Sequence, residues 1–168
     1  MQREFPDHPI VGVGAVIFDD RNRVLLVRRA SPPLEGAWSV PGGALELGET
    51  LRRGAEREAL EETGLRVEAG DVVEVFDSIF PTPVAPEAAS KEVHGSPESK
   101  SHAVAAAPQY HYVIIDFLCR LAGGDLHASS DAAEARWFAR DELDALDLSI
   151  PMQRVLARAL EMIEQIRL

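Results

Sequence analysis

Three glutamates, Glu58, Glu61 and Glu62, fall inside one helix-forming stretch between Thr50 and Thr63. At about 100° per residue, Glu58 and Glu62 share a side with Leu51 and Ala55, and Glu61 lies on the flank. A helix with only a structural task would carry leucines on that stripe and turn its acids to water. Here the inward stripe is thin (Leu51, Ala55, Ala59) and shares its face with carboxylates. Like charges at i,i+3 and i,i+4 cost a few tenths of a kcal/mol each in water, and more where the site is desolvated. A hard divalent cation relieves that repulsion, because magnesium is held by one or two carboxylates while water and substrate phosphates fill its other positions. Arg57 is placed to pair with a neighbouring acid. The competing reading is a charged helix facing solvent; the flanking glycines and the apolar overlap weigh against it.

The elements around this helix must bring the acids to a cleft. Thr50 is an N-cap residue and Gly64 stands where a C′ glycine ends a helix. Val11–Phe18 predicts a buried strand, Asp19–Asn22 a turn, and Val24–Val27 the returning strand of a hairpin. A short extended piece follows at Trp38–Val40, then a tight turn at Pro41-Gly42-Gly43. Leu65–Phe76 reads as one or two strands interrupted near Ala69-Gly70. The apolar, β-branched run Tyr110–Leu121 reads as a central strand, and Ala135–Ala139 as another. Pro151–Ile166 has a helical stripe of Val155, Leu156, Ala159, Leu160, Ile163 and Ile166. Between Pro81 and Pro108 large hydrophobes almost vanish, which predicts a flexible loop within a single domain spanning 1–168.

Composition narrows the classes. With 46% hydrophobic and 27% charged residues the chain reads as a soluble globular domain, and no stretch reaches the apolar length of a membrane span. The first residues are polar and acidic and do not read as a signal peptide. One cysteine, Cys119, allows no disulfide within the chain, which points to a reducing cytoplasm. The net charge of −11 repels phosphodiester backbones and argues against extended nucleic-acid binding. A phosphorylated small molecule remains accessible if cations mediate the contact.

Gly43-Ala44-Leu45-Glu46-Leu47-Gly48-Glu49, followed by Arg57-Glu58-Ala59-Leu60-Glu61-Glu62-Thr63-Gly64-Leu65, resembles the Nudix hydrolase signature G-x5-E-x7-R-E-U-x-E-E-x-G-U at every fixed position. Ala59 is small where a bulkier aliphatic residue is common. The preceding Trp38-Ser39-Val40-Pro41-Gly42 is similar to the lead-in of that family. The resemblance implies an α/β fold, a Nudix-type α/β/α sandwich with a mixed central sheet. It implies that Glu58, Glu61 and Glu62, helped by the Gly42 carbonyl, ligate magnesium or manganese, and that an Arg57–Glu49 salt bridge orients them. The chemistry it implies is attack of water on a phosphorus of a diphosphate. Divalent cations would lower the pKa of that water and neutralise the charge developing on phosphoryl oxygens.

Other positions are less fixed by the resemblance. A general base from a later loop is expected at Glu134 or Asp131, with Glu134 preferred for its place before Trp137-Phe138. Arg28 and Arg29 end a strand leading toward the cleft, where one of them can grip a phosphate with its forked guanidinium. Phe80, Tyr110, Tyr112 and Trp137 can stack on a nucleobase, against the plainer reading of core packing. Pro81 lies where relatives resembling ADP-ribose pyrophosphatases carry a proline, and His111–Phe117 is similar to the ADP-ribose and nucleotide-sugar branch. A tyrosine associated with dinucleoside polyphosphate hydrolases is absent at Thr82 and Pro83. The substrate expected is a small nucleotide, ADP-ribose or a related nucleoside diphosphate sugar. Hydrolysis of (d)NTPs, normal or oxidised, and a non-catalytic nucleotide sensor stay open as alternatives, as does a homodimer.

Overall fold

The computed structural model of the chain describes residues 2–82, 107–129 and 132–166. Seven strands and three helices follow in the order β1 (Ile10–Ile17), β2 (Val24–Arg29), β3 (Trp38–Ser39), β4 (Gly42–Ala44), α1 (Leu51–Thr63), β5 (Leu65–Phe80), β6 (Tyr110–Gly124), β7 (Ala132–Phe138), α2 (Arg140–Leu143) and α3 (Ile150–Ile166). The strands form two sheets, a four-stranded one in the order β4-β1-β6-β5 and a three-stranded one in the order β3-β2-β7. The larger sheet is mixed, since β1 runs parallel to β6 while β4–β1 and β5–β6 are antiparallel. This is the α/β arrangement expected, with β6 in the interior of its sheet.

Strand periodicity sorts the residues of β1 to opposite faces. Val13, Ala15 and Ile17 turn toward α1 and join Ala55, Ala59, Ile115 and Phe117 in one core. Val16 turns the other way and packs with Val24, Leu26, Phe138 and the α3 residues Met152, Val155, Leu156 and Ala159. The α3 stripe is therefore buried in its first half, whereas Ile166 is exposed. Helix α1 lies close to the sheet because its contact residues are small: Gly54, Ala55 and Ala59 are buried, and Leu51, expected inside, is exposed. That close seat explains the small Ala59.

Several local expectations are corrected. β1 and β2 do not form a hairpin within one sheet; a single bridge, Phe18 to Val24, links them where the chain passes from one sheet to the other. Pro41-Gly42-Gly43 is not a free turn, because Gly42 and Gly43 belong to β4 and pair with Gly14 and Val13. β5 is one long strand whose register shifts near Ala69 stand where an interruption was expected. The short α2 carries no buried residue and had no apolar period to announce it. Of the expected loop between Pro81 and Pro108, residues 83–106 lie outside the described residues.

Candidate active site

Helix α1 is fixed at both ends. The Thr50 side chain accepts a hydrogen bond from the Arg53 N–H at 3.4 Å, and Gly64 closes the helix in a left-handed conformation (φ 72°) with its N–H bonded to the Leu60 carbonyl. Between those caps Arg57 binds three carboxylates. Its Nε and Nη2 donate to the two oxygens of Glu49, each at 3.0 Å, in a forked pair. Its Nη1 donates to Glu58 at 2.8 Å and to Glu61 at 3.0 Å, and Nη2 also donates to the Ala44 carbonyl at 3.2 Å. One guanidinium thus ties the helix to the β4 segment and to Glu49.

The charges respond accordingly. The hydrogen bonds from Arg57 hold Glu49 below the usual carboxylate range, and those same bonds, led by the one to Glu49, raise the pKa of Arg57. Glu58 moves the other way. Burial pushes its pKa up, and this outweighs the lowering by Arg57. Glu58 lies against β4, where a Cβ at Gly43 would overlap its carboxyl group, so a side chain there would displace that group. Glu62 accepts the Gly42 N–H at 2.9 Å. Glu61 stands farther out, its side chain 58% exposed.

Glu58 and Glu62 border a cavity of about 340 Å³, within the range of small-molecule sites. Gly42, Gly43 and Ala44 form its edge beside them. Its floor is the sheet face turned away from α1, with Gly12, Gly14, Phe76, Ser78, Phe80, Tyr112, Ile114 and Asp116. Ser39, Val40 and Met152 close it from the side of the second sheet and α3, and Arg3, Arg29, Ala30, Ser31, Pro33 and Leu34 line its remaining side. Charged side chains beside apolar and aromatic ones suit a ligand with a charged part and an aromatic part.

The residues singled out from the sequence divide. Glu58, Glu62, Gly42, Arg29, Phe80 and Tyr112 line the cavity. Arg57, Glu49 and Glu61 form the network behind its rim. Arg28 does not line the cavity; its Nε donates to the Gly36 carbonyl at 3.1 Å. Glu134 is exposed in β7 opposite Arg28 and is not among the residues lining the cavity. Asp131 lies outside the described residues. Tyr110 is buried, bonded through its hydroxyl to Glu4 at 2.6 Å, and Trp137 packs against the core. The sequence gives no distinct signal for Asp116, Met152 or Arg3. Asp116 merges with an apolar strand, and the other two become neighbours of the site only in three dimensions.

Among the described residues, no three His, Cys, Asp or Glu side chains converge as a ready metal cluster. Arg57 engages Glu58 and Glu61, while Glu62 turns to the Gly42 amide. The donor set nonetheless fits a hard cation. It is all oxygen, it lies within two turns of one helix, and it sits beside a strand stripped of side chains at Gly42 and Gly43.

Known proteins resemble this chain in sequence and fold. A family model described as NUDIX domain matches residues 8–159. The chain is 32% identical over 139 residues to an ADP-ribose pyrophosphatase of Methanocaldococcus jannaschii, covering 83% of this chain and 67% of that protein. It is 30% identical to a MutT-like protein of Streptomyces ambofaciens, over 82% of this chain and 68% of the relative. A solved NUDIX hydrolase from Nitrosomonas europaea superposes with a TM-score of 0.64 at 27% identity, covering 93% of this chain and 72% of that one. Nudix hydrolases in general use divalent metal ions. The chain belongs to the Nudix family and is a pyrophosphohydrolase.

Proposed function

We propose that this enzyme hydrolyses the diphosphate linkage of a nucleoside diphosphate derivative, ADP-ribose or a related nucleotide sugar, giving a nucleoside monophosphate and a sugar phosphate. The observation that carries the reading is the cavity itself, with Glu58 and Glu62 at one end and Phe76, Phe80 and Tyr112 on its floor. Glu58, Glu61 and Glu62 and the Gly42 carbonyl would hold magnesium or manganese. When bound, such ions supply an activated water and neutralise phosphoryl charge. Arg57 and Glu49 act as positioning residues, because they reach the carboxylates and not the cavity. Arg29, whose Nε donates to the Pro33 carbonyl at 3.0 Å, stands on the cavity wall where a phosphate oxygen can be gripped. Phe80 and Tyr112 offer aromatic surface to the substrate along the cavity floor. Glu134 has no part in this reading, given its position outside the cavity.

The similarity to an ADP-ribose pyrophosphatase supports the choice of substrate. A panel of ADP-ribose, nucleotide sugars, dinucleoside polyphosphates and (d)NTPs, run with and without magnesium, tests it. AMP and ribose phosphate from ADP-ribose, formed only with the metal, is the expected result. Release of pyrophosphate from (d)NTPs at a far higher kcat/KM would replace the reading, and no turnover of any compound would overturn it.

A further inference from the structure

The proposed reaction accounts for the carboxylates on α1 but makes no use of a fourth, Asp116. This residue sits on β6 between Gly14 of β1 and Glu74 of β5, is 1% exposed, and lines the floor of the cavity. Its Oδ2 is fully buried without a hydrogen-bond partner among the described residues. Buried carboxyl oxygens are normally paired, and this residue lines a cavity, so its carboxyl group marks a place where a ligand can complete the bonding. The sequence makes room for it: a Cβ at Gly14 would overlap the Asp116 carboxyl group, so the strand opposite has no side chain there.

The surroundings identify what it would bind. Val40, Phe76, Ile114 and Met152 border the same cavity and give it apolar walls, whereas the acids of α1 lie beside β4. A nucleobase fits between apolar side chains, and its polar edge needs a partner among them. Burial, with a smaller contribution from Glu74, raises the pKa of Asp116 to about 7, so near neutrality the carboxyl group both donates and accepts. Adenine presents the matching pair, an amino donor beside a ring-nitrogen acceptor. A terminal sugar would instead need several polar partners, and Val40, Phe76, Ile114 and Met152 supply none.

We propose that Asp116 is a specificity-determining residue, its carboxyl group hydrogen-bonded to the amino-bearing edge of the substrate's nucleobase. The assignment of adenine rests on the ADP-ribose reading; the contact itself rests on the cavity. Calorimetric binding of AMP and purine riboside monophosphate to the magnesium-loaded protein tests it, because the second compound keeps the ring nitrogens of AMP and lacks only the amino group. The intact protein is expected to bind AMP about 10-fold more tightly than purine riboside monophosphate, the range of one buried hydrogen bond. Asp116→Ala should bring the two within about threefold of each other. Asp116→Leu, similar in shape and apolar, provides the same comparison if the alanine variant does not fold. Equal binding of AMP and purine riboside monophosphate by the intact protein, or an undiminished preference in either folded variant, overturns the proposal. A change confined to discrimination among the sugars of nucleotide sugars also overturns it. If ADP-ribose is not hydrolysed yet the AMP preference vanishes with Asp116, the substrate reading fails and the contact stands.

Discussion

Arg57 donates to Glu49, Glu58 and Glu61 at once, so three acids share one positive charge. Removing the guanidinium would leave Glu58 and Glu61 repelling each other, yet a bound cation can take over part of that neutralisation. Losing Glu62 is different, because it deletes a proposed ligand at the cavity edge that no neighbour replaces. Arg57→Ala is therefore expected to lower kcat/KM about 10- to 100-fold, the usual effect of a group that only orients metal ligands. Glu62→Gln should lower it further, well beyond about 100-fold, with unchanged thermal stability. Steady-state kinetics at saturating magnesium would show this ordering. A larger defect in the arginine variant would mean that Arg57 touches the reaction itself.

At the scale of elements, the site depends on how α1 ends. Gly64 has a positive φ, and a Cβ there would overlap the His127 ring. Gly64→Ala should cost about 1–2 kcal/mol from the left-handed backbone alone, with more from the displaced ring. Urea unfolding should show the loss; a variant as stable as the parent would mean that the helix end and His127 shift freely. Much of this element was legible beforehand. The caps, the acids and the glycines of α1 are local signals read off adjacent residues, and α3 and β6 announce themselves by period and apolar length. What stayed hidden is nonlocal. The residues Asp19–Asn22 turn the chain equally well whether the next strand joins the same sheet or another, so nothing local shows that β1 and β2 part. The role of Gly14 depends on a carboxyl group from β6, far along the chain. Glu134 illustrates the reverse: its place before Trp137 suggested a site, but its side chain is exposed opposite Arg28 and does not line the cavity.

For the molecule as a whole, buried acids set the pH at which the fold is most stable. The pKa of Asp116 is raised from 3.8 to about 7, so the folded state holds a proton that the unfolded chain has already released. Its ionisation thus costs stability as pH rises from about 4, and the cost levels off above about 7. Glu49, lowered by Arg57, has the opposite sign and stabilises the fold until pH falls through its depressed pKa. Asp116→Asn should match the parent near pH 4 and gain on it through the window up to pH 7. Above that the advantage should be on the order of 2–4 kcal/mol. Melting temperatures of the two proteins across pH 4–9 would show it. A constant difference over that range would mean that Asp116 ionises normally.

The amino-terminal segment is fastened beside the same cavity. Phe5 donates its N–H to the Gln109 carbonyl at 2.8 Å, Glu4 accepts from the Tyr110 hydroxyl and from Gln109, and Arg3 lines the wall. Any peptide fused ahead of Gln2 hangs from the doorway of the binding chamber. An affinity handle is better attached behind α3, where α3 runs out to the exposed Ile166, remote from the carboxylates. Michaelis constants gathered from amino-terminal fusions would blend the enzyme's own grip on its ligand with the drag of the attached peptide.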